Sequence, residues 1–203
     1  MGIEFSNLVF INYVPGSYGS FLGHCLRETI RTDIFTDNNT THTYEDDPFP
    51  TLHDHHKIIE WADTTHDEKM ESMYKFHHIY ESKLEKNKLL IQRATNPKAT
   101  QFLCDYFPGS KIIKINIDNY CIYHVANNVI NKIENIPISD AVGFVCDTIN
   151  NENIEGVYNL SVRSFLNGKF IQEINHIRRW LDLKIVDITE LYEEFKRRNG
   201  IHI

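Results

Sequence analysis

The sequence has no long hydrophobic run and few cysteines. Its longest apolar stretches, such as LVFI and KIIKINI, are far shorter than the roughly 18 residues that a membrane helix needs, so we predict no association with a membrane. The N-terminus, MGIEFSNLVF, lacks the basic start and the cleavage site of a secretory signal peptide. The four cysteines are scattered without CxxC spacing, each within an apolar stretch, and we interpret them as reduced core residues. These absences predict a cytoplasmic location.

An excess of basic residues is also missing. The chain of 203 residues has 21 Lys and Arg against 28 Asp and Glu, for a net charge of −7. Residues 37–85 alone carry 12 acidic and 4 basic side chains, so the acidity belongs to one segment. This balance argues against a general nucleic-acid partner but leaves room for a local anion site elsewhere. The length predicts a single domain over 1–203. The composition predicts a polar, His- and Asp-rich insertion around 36–66.

Apolar, β-rich segments alternate along the chain with segments of helical periodicity. The segments 8–13, 89–93 and 111–117 are predominantly apolar, as strands inside a parallel sheet are. Segments of 10 to 20 residues with helical periodicity separate or follow them. This alternation predicts an α/β fold of three α/β/α layers around a central, mainly parallel sheet. We expect 8–13 and 111–117 to be neighbouring central strands.

Other segments give weaker patterns. We predict a short strand at 56–61, a helix over 67–86, and an asparagine-rich break at 150–160 before two final amphipathic helices. Asp118 is expected to cap the helix that follows the strand at 111–117. Asp187, with a glutamate three residues later, has the capping-box pattern of a helix start.

A glycine-rich turn joins the first predicted strand to the first predicted helix. Its glycines can adopt positive φ angles, and its serines add hydroxyl donors. Backbone N–H groups of such a turn point at one place, where the dipole of the helix favours an anion. The predicted anion-binding residues are Gly16, Ser17, Tyr18, Gly19, Ser20 and Phe21. The alternative is a plain strand-to-helix turn in which glycine serves only tight packing.

The turn is not a Walker A loop. The GxxxxGK[ST] pattern requires a lysine, and here Gly16 is followed by SYGSFLG. No carboxylate that would hold Mg²⁺ follows a strand in the expected way. Both absences disfavour a nucleotide kinase.

Several segments resemble one known family. FINYVPGSYGSFLGHCL resembles the 5′-phosphosulfate loop of sulfotransferases, and its SFLG run matches one form of that loop best. FPGSKIIKINID, LLIQRATNP and the closing helix pair are similar to later segments of the same family. The resemblance implies a P-loop fold that uses 3′-phosphoadenosine 5′-phosphosulfate (PAPS). It further implies transfer of a sulfuryl group to a hydroxyl or amine of a small-molecule or glycan acceptor.

The sequence departs from the family's pattern at two places. The loop lysine that assists sulfuryl transfer in many members falls on Gly16 or Ser17. The Arg and Ser that grip the 3′-phosphate fall on Ile117 and Val125, which cannot bind phosphate. Arg93, at the end of the preceding strand, is our candidate for the missing charge; the alternative is an ordinary surface ion pair. The missing residues favour a second hypothesis, a non-catalytic nucleotide- or anion-binding module of the same fold.

Seven of the 11 histidines lie between positions 42 and 78. In an extended segment His53 and His55 share one face. The resemblance implies a histidine base after the first helix, so we predict His53 or His55 as the catalytic base that deprotonates the acceptor. A solvated polar loop is the alternative, and a metal site is disfavoured because zinc needs three or four ligands. We interpret His124 as a packing histidine.

Overall fold

The computed structural model describes residues 5–27, 78, 81, 90–94, 100–131, 136–149 and 153–202, with only the backbone described at 90 and 92–94. The strands are β1 (Leu8–Asn12), β2 (Leu90–Ala94), β3 (Lys111–Asn116) and β4 (Val157–Ser161). The helices are α1 (Gly19–Cys25), α2 (Thr100–Tyr106), α3 (Ile122–Ile130), α4 (Ile138–Thr148), α5 (Val162–Leu166), α6 (Phe170–Trp180) and α7 (Thr189–Arg198). A 3₁₀ turn (Asn119–Cys121) precedes α3.

The described strands form one parallel sheet in the order β2-β1-β3-β4. In its centre, Ile11 of β1 lies opposite Arg93 of β2 and Ile113 of β3. Parallel strands need long crossover connections, and helices supply most of them here. The predicted α/β class is confirmed, and so is the prediction that β1 and β3 are neighbouring central strands.

Both faces of the sheet are covered, which explains why β1 is buried along its whole length. On one face, Val9, Ile11 and Ile113 belong to a core cluster that also contains side chains of α1, α3, α6 and α7. On the other face, the ring of Phe10 meets that of Phe107 edge-on, with 4.8 Å between the centroids.

A buried arginine joins the C-terminal half of the chain to α1. Arg178, in α6, is 1% exposed, and its guanidinium donates hydrogen bonds to the carbonyls of Cys25 and Arg27, both at 2.9 Å. A third bond, of 2.6 Å, reaches the carbonyl of Lys184. The last carbonyls of a helix lack intrahelical partners, and a cation is favourable at that end. Arg178 therefore caps the end of α1 from the side.

Two sequence predictions are wrong. The break predicted at 150–160 contains most of β4, and α5 follows it directly. Asn159 and Ser161 interrupt the apolar residues of β4, and only Leu160 is fully buried, so the strand lacks the continuous apolar run of β1 and β3. Asp118 does not cap a helix with its side chain; its carboxylate accepts a 2.5 Å hydrogen bond from the hydroxyl of Ser161 instead. The carboxylate of Asp187 does accept from the amide of Thr189, at 2.9 Å, where α7 begins.

Several predictions lie outside the described residues. They are the strand at 56–61, the insertion around 36–66 and most of the helix over 67–86, of which His78 and Glu81 are described and helical. Among the described helices, none has the length and apolarity that crossing a bilayer requires.

Candidate functional site: the loop after the first strand

The glycine-rich loop leaves the sheet at the carboxyl end of β1, beside the segment that leaves β3. Ligands of open α/β sheets bind outside the carboxyl ends of the strands. The loop lies between Asn12, the last residue of β1, and Gly19, the first residue of α1. Its position therefore suits a binding site.

Two residues of the loop have left-handed backbone conformations. Gly16 has φ +89° and Tyr18 has φ +69°. For a residue with a side chain, this conformation costs roughly 1–2 kcal/mol, so surrounding contacts must hold Tyr18 in place. Alternation of right- and left-handed residues turns successive N–H groups toward a common point.

Ser17, between them, closes the turn itself. Its amide and its hydroxyl both donate to the carbonyl of Val14, at 3.0 and 2.6 Å, and the residue is 0% exposed. The hydroxyl proton expected to face an anion is thus directed into the loop, because the turn needs it. Within the described ranges, no backbone carbonyl accepts from the amides of Tyr18 or Gly19. These two amides are candidate donors to an anion.

Close packing explains the two loop glycines. A Cβ on Gly16 would lie 2.7 Å from the carbonyl oxygen of Val125 in α3. A Cβ on Gly19 would overlap the ring of Tyr13, coming within 2.5 Å of its Cε1 atom. Of the two glycines that could adopt a positive φ, Gly16 does so, whereas Gly19 already belongs to α1 and Tyr18 is the second left-handed residue.

Helix α3 holds the loop through two polar side chains one turn apart. The Nδ2 atom of Asn128 donates to the carbonyl of Gly16 at 2.9 Å. The hydroxyl of Tyr18 is hydrogen-bonded to Nε2 of His124. The side chain of Asn128 also lies close enough to the Tyr18 hydroxyl to lower the pKa of the phenol, taken by itself.

Burial sets the protonation states of this pair. It raises the pKa of Tyr18 to about 12 and lowers the pKa of His124 below its usual value of 6.5. At neutral pH the phenol is therefore protonated and the imidazole neutral. We assign the phenol as donor and Nε2 of His124 as acceptor, which places the ring proton on Nδ1.

Aromatic side chains fix the other side of the loop. The Tyr18 ring meets that of Phe195 edge-on, with 4.9 Å between the centroids. The Phe21 ring is stacked on the same Phe195, with 4.0 Å between the centroids and planes 12° apart. Phe21 is 2% exposed, so its ring belongs to the core and only its backbone can take part in binding.

No model of a known protein family matches the sequence, and no curated protein does. The fold, in contrast, matches solved structures. The sulfotransferase domain of the Synechococcus PCC 7002 olefin synthase superposes with a TM-score of 0.50 at 13% identity, over 92% of this chain and 77% of that domain. The chain has a sulfotransferase-like fold. A sulfotransferase from Alicyclobacillus acidocaldarius is also similar, with a TM-score of 0.46 and 14% identity, over 98% of this chain and 92% of that one.

The sequence resemblance places the family's 3′-phosphate residues on Ile117 and Val125, and both of these side chains lie in the core. Ile117 is 2% exposed and Val125 is 0% exposed. Arg93 is in β2, as the sequence predicts, but its side chain is outside the described part of the structure, as are His53 and His55. Their roles stay predictions.

His124 and Asn128 were not predicted as residues of the loop site. They lie at positions i and i+4 of α3, next to the apolar residues Val125, Ala126 and Val129 that face the core. A pair of polar residues at this spacing beside an apolar stripe was the available signal. Within the ranges the structure describes, no group of three His, Cys, Asp or Glu residues could hold a metal ion.

Proposed function

We propose that the chain is a sulfotransferase that moves a sulfuryl group from PAPS to a hydroxyl or amine of a small-molecule or glycan acceptor. One observation carries the proposal: a loop with two left-handed residues at the carboxyl end of a central strand, in a chain of sulfotransferase-like fold. Such a loop presents amide donors to an anion without needing a charged side chain. The four cysteines are free thiols, which supports a reducing, cytoplasmic setting.

The residues present fit the donor nucleotide in part. The amides of Tyr18 and Gly19 can bind the anionic phosphosulfate end, and charge that develops there during transfer would be stabilised by the same donors. When bound, PAPS supplies a sulfuryl group, whose S–O bond to the phosphate breaks as the acceptor oxygen or nitrogen bonds to sulfur. Arg93 is our candidate for a positive charge near the nucleotide.

A neutral histidine is suited to take the proton that the acceptor loses. We propose His53 or His55 for this role, because both belong to the histidine-rich segment that follows α1 in the chain.

A second function is favoured by specific observations. The loop contains no lysine, the Ser17 hydroxyl is directed at Val14, and the residues at the two expected 3′-phosphate positions are buried and apolar. These features suit a non-catalytic module that binds a nucleotide or another anion.

Calorimetric titration with adenosine 3′,5′-bisphosphate, combined with a transfer assay, separates the two functions. The assay uses labelled PAPS and a panel of hydroxyl and amine acceptors. We expect His53→Ala or His55→Ala to lower the rate by about 10²- to 10⁴-fold, with the exposed His202 changed to Ala as the control. If both variants keep the wild-type rate, the base lies elsewhere. A protein that binds the bisphosphate but transfers nothing is the binding module.

A further inference from the structure

We propose that His124 and Asn128 of α3 are positioning residues, which hold the loop in the conformation that binds the anionic end of the donor. The inference rests on the proposed function and assigns these residues a role within the same site. Neither residue is taken to touch the donor; both act through Tyr18 and Gly16.

The backbone of Tyr18 has an unfavourable conformation. A tyrosine with φ +69° is strained, and strain of this kind persists only where the surroundings impose it. Two kinds of contact do so here. The ring packs edge-on against Phe195, and the hydroxyl is bonded to His124. The ring contact restricts where the side chain lies, whereas the hydrogen bond fixes its far end.

The side chain of Asn128 lies against both left-handed residues of the loop. Its Nδ2 atom donates to the carbonyl of Gly16 at 2.9 Å, and its side chain lies close enough to the Tyr18 hydroxyl to lower the pKa of that phenol. A single side chain thus constrains the residues on either side of Ser17. The orientation of the peptide between Gly16 and Tyr18 depends on these anchors, and the directions of the Tyr18 and Gly19 amides follow from it.

The loop contains no lysine. Without a charged side chain, binding depends on backbone dipoles, and dipoles bind an anion well only when they are already oriented. If the loop could reorient its amides, binding would have to order them, and the free-energy cost of that ordering would lower the affinity. Orientation by α3 therefore matters more here than it would in a loop with a lysine.

The test combines conservative variants with matched controls on α3. Tyr18→Phe removes the hydroxyl but keeps the ring, and Tyr123→Phe makes the same change at an exposed tyrosine. Asn128→Ala removes the amide, and Asn127→Ala does so at the exposed neighbouring position. For His124, Leu removes the hydrogen-bond acceptor, whereas Gln keeps one.

Two measurements are made on each full-length protein. The first is hydrogen exchange of the amides at 18–21 without ligand, and the second is calorimetric titration with adenosine 3′,5′-bisphosphate. We expect Tyr18→Phe, Asn128→Ala and His124→Leu to exchange faster at these amides and to bind about threefold to tenfold more weakly. His124→Gln should recover much of the affinity, and the two control variants should match the wild type.

A double variant tests whether Tyr18 acts through His124. If it does, Tyr18→Phe combined with His124→Leu binds no more weakly than Tyr18→Phe alone, because that variant has already lost the hydrogen bond that His124→Leu removes. Additive losses in affinity would contradict this.

The outcomes distinguish the two proposals. Suppose that the wild-type protein binds the bisphosphate. If the variants then bind it equally well, or if they lose stability without faster exchange at 18–21, only the positioning role is overturned. Wild-type protein that does not bind the bisphosphate overturns the proposed function, and this inference with it.

Discussion

Replacing Gly19 by alanine tests the packing of the loop against β1. The added Cβ would overlap the ring of Tyr13, which is buried and hydrogen-bonded through its hydroxyl to Ser20 at 3.2 Å, so the ring cannot turn aside freely. Overpacking of this kind costs about 1–3 kcal/mol. Because the overlap involves several ring atoms, we expect the upper part of that range, less a helix-propensity gain of up to about 1 kcal/mol. Gly19→Ala should therefore lower the free energy of unfolding by about 2 kcal/mol.

Gly143 provides the matched control. It lies inside α4, is exposed, and has no atom within 4 Å of its added Cβ. Gly143→Ala should therefore raise the free energy of unfolding by about 1 kcal/mol through helix propensity alone. Urea unfolding followed by far-UV circular dichroism measures both variants. Equal stabilisation by the two alanines would show that the Tyr13 ring does not constrain position 19.

Three further changes test other features. In urea unfolding, Gly16→Ala should lower the free energy of unfolding by about 1–3 kcal/mol more than Gly156→Ala does. Both glycines have positive φ, but only at Gly16 would the added Cβ lie against a backbone carbonyl. Equal losses would contradict the packing of the loop on α3. Arg178→Met should lower the unfolding free energy by about 3 kcal/mol, whereas the exposed Arg179→Met should change it by less than about 0.5 kcal/mol, and similar values would argue against the cap on α1. Two arginines of α7 lower the pKa of Glu194 from 4.5 to about 2, so its carboxylate stabilises the fold above pH 4.5 and this contribution is lost as the pH falls toward 2. The melting temperatures of wild type and Glu194→Gln should therefore differ at pH 7 and converge near pH 2, and a constant difference would refute the assignment.

The central strands were predictable because their residues leave no alternative. Segments 8–13 and 111–117 are too apolar to lie on a surface and are bounded by turn residues, and the structure places strands there to within one residue at either end. Strand β4 was not predictable on these grounds. Its backbone pairs with β3, but Asn159 and Ser161 interrupt its apolar residues, so the strand forms no continuous apolar run.

The loop was predictable in its position but not in its conformation. Glycine and proline at 15–19 indicate a turn before a helix, and the structure has one there. Which residue becomes left-handed depends on contacts with Tyr13 and with α3, a helix more than a hundred residues away. Local sequence carries no record of such contacts, so it indicates that the glycines can be left-handed but not that Tyr18 is. For the same reason His124 resembled any histidine beside an apolar stripe.

The contacts of α1 with α6 and α7 determine when α1 can be stabilised during synthesis of the chain. Arg178 is separated by 153 residues from Cys25, whose carbonyl it binds, and Phe21 stacks on the still later Phe195. A ribosome therefore completes α1 long before it produces the residues that cap and cover this helix. Forming contacts between such distant residues slows folding, since a long loop must close first. The glycine-rich loop thus reaches its final form only after α6 and α7 have been made, and a nascent chain that ends before α6 would lack both the cap and the cover of α1.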